Sequence, residues 1–340
     1  MRWCAVLSLA LLAGCWRAEP PVETRWLVMG TFAATSVPAA QRVELPALEA
    51  KAADIYTGLE TLLSTYREAS LLSEVNRLAG SGKSVELPDV VRPLMDRTLR
   101  LTRESGGAFS PLVGPLMEAW GFRKGGVPAR PPQLAPVMAL LNPADIGYEK
   151  GRLELKRPGQ KLDLGAIAKG YAVDLVYTEY RRSGVSNALV NLGGNLRAIG
   201  VSGSGPDGWR TGVRNPFNEE ETVGSFVLRD GEAVATSGNY ERFVEIDGVK
   251  YAHIMDARSG LPVRGMAGVT VVAPTGMIAD GFSTSLFVLG PEAGVELLKK
   301  YPGCAVCWIP DERPMRMIVN RRFLEIFTPS VSVKMSVVGN

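Results

Sequence analysis

Leu162-Asp163-Leu164-Gly165-Ala166-Ile167-Ala168-Lys169-Gly170-Tyr171, residues 162–171, is where the chain changes its periodicity. Upstream, Arg152 to Leu164 alternates and reads as two strands around Arg157-Pro158-Gly159. Downstream, Ile167 to Ser183 follows helical spacing. A strand that passes through a glycine turn into a helix start leaves backbone N–H groups free, and those groups favour a phosphate. The spacing is neither a Walker loop nor a dinucleotide-binding fingerprint. An ordinary strand–turn–helix reads the same way, so this stretch needs company before it means anything chemical.

Working outward, Ala188 to Leu192 is an apolar strand closed by Gly193-Gly194. Further strands are expected at Trp209 to Arg214, Gly224 to Leu228, Ala233 to Thr236, Phe243 to Ile246, Val269 to Ala273 and Ala305 to Ile309. Towards the N-terminus, Trp26 to Val37 reads as one strand containing Gly30. Pro46 to Tyr66, Ser70 to Leu78 and Asp89 to Ser105 read as helices, the last stopped by Gly106-Gly107. Lys124 to Pro136 is a Gly- and Pro-rich loop. Asp280 to Leu289 and Pro291 to Tyr301 are the C-terminal helices. Strands and helices mix without strict β-α-β alternation, which predicts an α+β fold, mixed sheets flanked by helices, rather than a doubly wound parallel sheet.

The 340 residues are 46% hydrophobic and 21% charged, enough apolar material for a sizeable core. The formal net charge of +3 comes from interspersed acids and bases with no polybasic run, so no nucleic-acid partner is expected. The first residues read as a targeting segment. Arg2 is followed by a short apolar run, Ala5 to Leu12, and then by Leu12-Ala13-Gly14-Cys15, which resembles a bacterial lipobox. The expectation is a signal peptide over 1–14, acylation of Cys15, a tether over 15–24, and one folded domain over 25–340. The chain is then exported and lipid-anchored to a bacterial membrane, facing the periplasm or the cell exterior. A plain signal peptide with an incidental cysteine is the alternative. Cys304 and Cys307 have C-x-x-C spacing but lie in an apolar strand, where residues three apart face opposite sides; two buried thiols are expected rather than a redox pair.

Three more segments carry chemistry-bearing side chains. In Ala279-Asp280-Gly281-Phe282-Ser283-Thr284, a helix would put Asp280 and Thr284 on one face. Carboxylate and hydroxyl oxygens suit Mg²⁺; an Asp N-cap followed by an exposed Thr is the alternative. His253-Ile254-Met255-Asp256 sets the chain's single histidine three residues from a carboxylate that would fix its tautomer and raise its basicity. A lone histidine is also commonly structural. Thr236-Ser237-Gly238 is a polar turn after an apolar strand, with backbone N–H groups free to meet a ligand.

Taken in order, these segments resemble the ApbE family of FAD:protein FMN transferases, from about Trp26 to Leu298. The matching residues are Met29-Gly30-Thr31; Gly107-Ala108-Phe109 through Gly114-Pro115-Leu116 to Trp120-Gly121-Phe122; Leu162-Asp163-Leu164-Gly165 with Ala168-Lys169-Gly170-Tyr171; Asn191-Leu192-Gly193-Gly194; Thr236-Ser237-Gly238; His253-Ile254 with Asp256 and Gly260; and Val269-Thr270-Val271 with Ala279-Asp280. The resemblance implies an FAD site in a central cleft between two halves of the molecule. It implies FAD contacts from Met29, Gly30, Lys169, Thr236, Ser237 and Gly238, with Tyr171 and Trp120 as candidate stacking rings. It further implies a Mg²⁺ site at Ala166, Asp280 and Thr284, and His253 as general base with Asp256 as its orienting partner. The implied reaction moves FMN from FAD to a Thr or Ser hydroxyl of an acceptor protein and releases AMP. Family acceptors are redox membrane proteins with a Thr/Ser flavinylation motif. This chain departs from the family pattern at Ala257, Ser259, Ser110 and Asn239. An FAD pyrophosphatase and a non-catalytic FAD-binding lipoprotein are the competing readings.

Overall fold

The computed structural model describes residues 19–123, 126–205 and 207–339. The expected signal segment and Cys15 lie outside the described residues. Among the described residues no helix is long and apolar enough to cross a membrane.

A nine-stranded sheet organises the molecule: Val22–Val28 (β1), Thr31–Val37 (β2), Ala188–Leu192 (β3), Asn195–Ile199 (β4), Ala233–Gly238 (β5), Met266–Ala273 (β6), Ala305–Pro310 (β7), Arg316–Val319 (β8) and Lys334–Val337 (β9). Their spatial order is their chain order, antiparallel throughout except for the parallel pair β8–β9. The α+β expectation holds: mixed sheets flanked by helices. The single strand expected over Trp26 to Val37 is instead a hairpin. Met29 and Gly30 both have positive φ, 51° and 69°, and form a two-residue turn whose twist matches that of the paired strands. The folded domain also begins earlier than expected, since β1 takes in Val22–Thr24 from the supposed tether.

Helices Leu45–Leu63 (α1), Ala168–Arg182 (α2) and Gly276–Leu298 (α3) cover one face of the sheet and enclose the main core. The other face is covered by a three-stranded sheet formed by Trp209–Asn215, Asn218–Leu228 and Thr328–Pro329, which encloses a second core around Trp209, Phe226 and Phe323. Cys304 packs in the main core and Cys307 in the second, on opposite faces as strand alternation requires, and both are free thiols. A third, smaller core forms around Leu116, Trp120 and Leu141. It lies beneath the ribbon made by Phe243–Ile246 and Val249–Ala252.

The stretch 162–171 does not fold as read. The segment between Leu155 and α2 carries no strand. A side chain replaces the strand partner: Asn76 Nδ2–H donates to the Leu162 carbonyl at 3.0 Å, and Leu162 N–H donates to Asn76 Oδ1 at 2.7 Å. Of the two strands expected over Arg152 to Leu164, the first is found at Arg152–Leu155, and its partner is not downstream but upstream, at Ile146–Glu149. α3 likewise starts before its expected first residue. Thr275 caps it, accepting from Ile278 N–H, and the Asp174 carboxylate accepts from Gly276 and Met277 N–H at 2.6 and 2.9 Å. Asp280 is therefore not a cap but sits in the second turn. Gly290, with φ 71°, breaks the helix before Pro291, so the two expected helical stretches persist within one span.

α2 and α3 meet at glycines. A Cβ on Gly170 would lie 2.1 Å from the Gly276 carbonyl oxygen, and one on Gly276 would lie 2.4 Å from that of Gly170. Only two glycines permit this approach, and it brings the start of α2 against the second turn of α3.

Candidate active site at the end of the central sheet

The hairpin turn Met29-Gly30, the β3–β4 turn Gly193-Gly194 and the end of β5 at Gly238 gather at one end of the sheet. Register sets this. β2 pairs with β3, β3 with β4 and β4 with β5, and Gly193 N–H donates to the Phe32 carbonyl at 2.8 Å. Thr31 fills the space where a Cβ on Gly193 would sit, with Oγ1 only 2.7 Å away. α3 runs back along the sheet toward this same end, so Ser237 on β5 meets α3 directly. Its hydroxyl lies 2.8 Å from Ser283 Oγ and 3.3 Å from Thr284 Oγ1. Thr236 bonds Thr270 on the neighbouring strand at 2.9 Å.

Asp280 is buried where α2 and α3 cross. Gly170 N–H, which in a regular helix would close on the Ala166 carbonyl one turn back, donates instead to Asp280 Oδ2 at 2.9 Å. The other carboxylate oxygen, Oδ1, lies 3.9 Å from Lys169 Nζ, which itself donates to the Gly165 carbonyl at 3.1 Å. The Ala166 carbonyl, Asp280 Oδ1 and Thr284 Oγ1 are hard oxygen donors of the kind Mg²⁺ takes, with room in its shell for phosphate and water. Among the described residues no three His, Cys, Asp or Glu side chains cluster as ligands. The candidate donors are thus a backbone carbonyl, a hydroxyl and the Asp280 carboxylate, and a donor set of that chemistry fits Mg²⁺.

His253 follows directly on the ribbon Phe243–Ile246/Val249–Ala252. Its backbone N–H donates to the Arg242 carbonyl at 3.1 Å, and its Nδ1 lies 3.2 Å from the same oxygen. A carbonyl only accepts, so the proton is on Nδ1 and Nε2 carries a free lone pair. The ring of Phe122 meets the imidazole edge-on, centroids 6.5 Å apart. Packing leaves the imidazole half-buried, and Arg242, Lys169 and Arg123 act on it as positive charges. Burial first, then those cations, push its pKa down from 6.5 to about 4, against an opposing pull from the Arg242 carbonyl. As pH falls from 6.5, the unfolded chain takes up the proton before the folded one does, so His253 lowers stability progressively down to about pH 4. An imidazole of this kind stays unprotonated across the neutral range. For the general base that the family resemblance implies at this position, the acid limb of kcat/KM for the acceptor is accordingly expected near pH 4 rather than 6.5. An acid limb near 6.5 would mean that the imidazole is hydrated or is not the titrating group.

Asp256 does not orient that imidazole. Its carboxylate is held by Arg258, with contacts of 2.9 Å to Nε and 2.8 Å to the guanidinium terminus, and it also accepts from the Arg258 backbone N–H. The carbonyl of Arg242 takes the role that the sequence assigned to a carboxylate. Trp120 and Tyr171 present no ring face to a ligand either, being 2% and 6% exposed. The Trp120 indole N–H donates to the Gly260 carbonyl, and the Tyr171 hydroxyl donates to that of Val90 at 2.5 Å.

Three residues without an assigned role join the site. Arg123 bridges the Asp163 carboxylate and the Tyr66 hydroxyl, with its guanidinium 4.6 Å from the centre of the Tyr66 ring. Asp163 also accepts from Gly165 N–H at 2.9 Å and so shapes the turn that leads to Ala166 and Lys169. Asp163 stands in a stretch singled out from sequence. Arg123 and Tyr66 are 40 and 97 residues upstream of it, and no local pattern links them.

The ApbE family pattern matches residues 29–308. The chain is 31% identical over 320 residues to a Klebsiella pneumoniae protein named FAD:protein FMN transferase, covering 90% of this chain and 91% of that one. A Rhodobacter capsulatus protein of the same name is 36% identical over 245 residues, 71% of this chain; the match spans only 46% of that longer protein. The crystal structure of a Pseudomonas stutzeri flavinyl transferase, apo form, superposes with a TM-score of 0.78 at 31% identity, covering 92% of this chain and 98% of that one.

Proposed function

The chain belongs to the ApbE family, and from that premise we propose that it transfers FMN from FAD to a Ser or Thr hydroxyl of an acceptor protein, with Mg²⁺, and releases AMP. The observation that carries this reading is the juxtaposition at the end of the sheet. A neutral imidazole with a free Nε2 feels the charge of Lys169, whose ammonium lies next to the buried carboxylate of Asp280. Phosphoryl transfer asks a protein mainly for positioning and for neutralisation of oxygen charge.

In this mechanism Met29, Gly30, Thr236, Ser237 and Gly238 hold the dinucleotide at the sheet end, and Lys169 offsets phosphate charge. The Ala166 carbonyl, Asp280 and Thr284 would hold Mg²⁺, which would supply charge neutralisation to the phosphoryl oxygens and the leaving phosphate. The acceptor O–H gives its proton to His253 Nε2 as its oxygen bonds to the FMN phosphorus. The bond from that phosphorus to the bridging oxygen breaks, and the oxygen leaves with AMP. Nδ1–H stays on the Arg242 carbonyl throughout, so the imidazole needs no rotation to accept the proton.

We further propose that the chain is exported and acylated at Cys15, and that its acceptors are redox membrane proteins. The lipobox-like Leu12-Ala13-Gly14-Cys15 supports the first part of this. The reaction is tested by incubating the protein with FAD, Mg²⁺ and a candidate acceptor, then reading covalent flavin fluorescence after denaturing electrophoresis and AMP in the same tube. A labelled acceptor band abolished by EDTA is expected. AMP and free FMN formed with water alone would replace transferase by pyrophosphatase. No flavin binding at all would remove the reading.

A further inference from the structure

The imidazole of His253 is held by its neighbours in the chain, and those neighbours converge on one side chain. On its N-terminal side runs the ribbon Phe243–Ile246/Val249–Ala252, which ends one residue before it. On its C-terminal side runs the loop Asp256 to Gly260, closed by Gly260 N–H donating to the Asp256 carbonyl at 2.8 Å. Trp120 touches both flanks. Its indole N–H donates to the Gly260 carbonyl at 3.0 Å, and its ring lies 4.9 Å from that of Tyr251 on the ribbon, inclined at 42°. Gly121, with φ 84°, then turns the chain so that Phe122 meets the imidazole edge-on. The space beside the Gly260 Cα is filled, since a Cβ there would lie 2.7 Å from Met138 Sδ.

We infer that Trp120 is a positioning residue for His253: one indole pins the strand entering the histidine and the loop leaving it, and so limits water at the half-buried imidazole and keeps its Nε2 aimed at the acceptor hydroxyl. This rests on the proposed role of His253 only for its effect on rate. The effect on the imidazole itself is independent of that role. It differs from the stacking role expected of this ring, because the indole is 2% exposed and its single donor is already engaged.

Because His253 is the only histidine in the chain, its ring resonances in tag-free protein report one group without assignment ambiguity. Trp120→Phe keeps an aromatic ring against Tyr251 and deletes the N–H. In that variant water gains access to the imidazole, and its NMR titration midpoint is expected to rise by at least about one unit from the wild-type position. kcat should fall about tenfold to a hundredfold with FAD affinity changed less than about threefold. An unchanged titration midpoint, even with a lower melting temperature, would reduce Trp120 to core filling and overturn the inference. A raised midpoint with undiminished kcat would uphold the positioning role and instead remove His253 as the base. If Trp120→Phe does not fold, Tyr251→Leu carries the test: a smaller shift in the same direction is expected, and no shift would overturn the inference.

Discussion

Asp280→Asn is expected to leave a folded protein with almost no turnover. The amide keeps a carbonyl oxygen where Gly170 N–H donates, at 2.9 Å in the wild type, so the α2–α3 crossing survives when the side-chain oxygen takes that position. What disappears is the negative charge beside Lys169 and the anionic oxygen that would hold Mg²⁺. A bound cation supplies several kcal/mol of transition-state stabilisation, and its loss corresponds to about a thousandfold or more in kcat. Asp280→Ala should lose turnover equally and also leave the Gly170 N–H without a partner in a buried position, a cost of about 1–3 kcal/mol in unfolding free energy. Turnover at saturating FAD over a Mg²⁺ series, with melting temperatures of both variants, separates the two effects. Turnover in Asp280→Asn with an unchanged Mg²⁺ dependence would place the metal elsewhere.

His253→Ala should lower kcat by about 10² to 10⁴, the range a positioned general base contributes, while FAD binding stays near the wild-type value. The reasoning is geometric. Nδ1 is held by the Arg242 carbonyl and Nε2 is the free acceptor, so the residue is arranged to take a proton rather than to carry a charge. His253→Gln tests the distinction, because glutamine can donate to Arg242 yet cannot accept a proton near neutral pH. Its rate should match that of the alanine variant. Single-turnover measurements with preloaded FAD keep product release out of the comparison. Restoration of transfer by added imidazole would strengthen the assignment; a wild-type rate in either variant would leave the site without its base.

Some of this site was legible residue by residue. The pair Asp280 and Thr284 was readable because four residues is about one helical turn, and α3 does carry Asp280 against Gly170 and, one turn on, Thr284 against Ser237. The neighbouring expectation, that Asp256 holds His253, rests on nearness in sequence and fails. Nearness along a loop does not fix where a side chain turns, and the carboxylate is held by a guanidinium two residues away. Trp120 and Tyr171 were misread for another reason. Aromatic rings near a ligand and aromatic rings in a core have the same composition signature, and only burial separates them.

Local pattern placed many, though not all, of the strands and helices. Ala188–Leu192 and Phe243–Ile246 fall where strands are expected, and the order of the short polar and glycine-rich segments identified the family. The tertiary structure alone decided who partners whom. Gly170 N–H meets Asp280 across 110 residues, Arg123 reaches Asp163 across 40, and the Arg242 carbonyl rather than a carboxylate sets the imidazole tautomer across 11. Periodicity reports only which face a residue occupies, over a few turns of backbone. Pairings at these separations arise from how closely two glycines let α2 and α3 approach and from how the small core around Trp120 seats the loop after the ribbon. Those are properties of packed surfaces, and no window of sequence contains both sides of them.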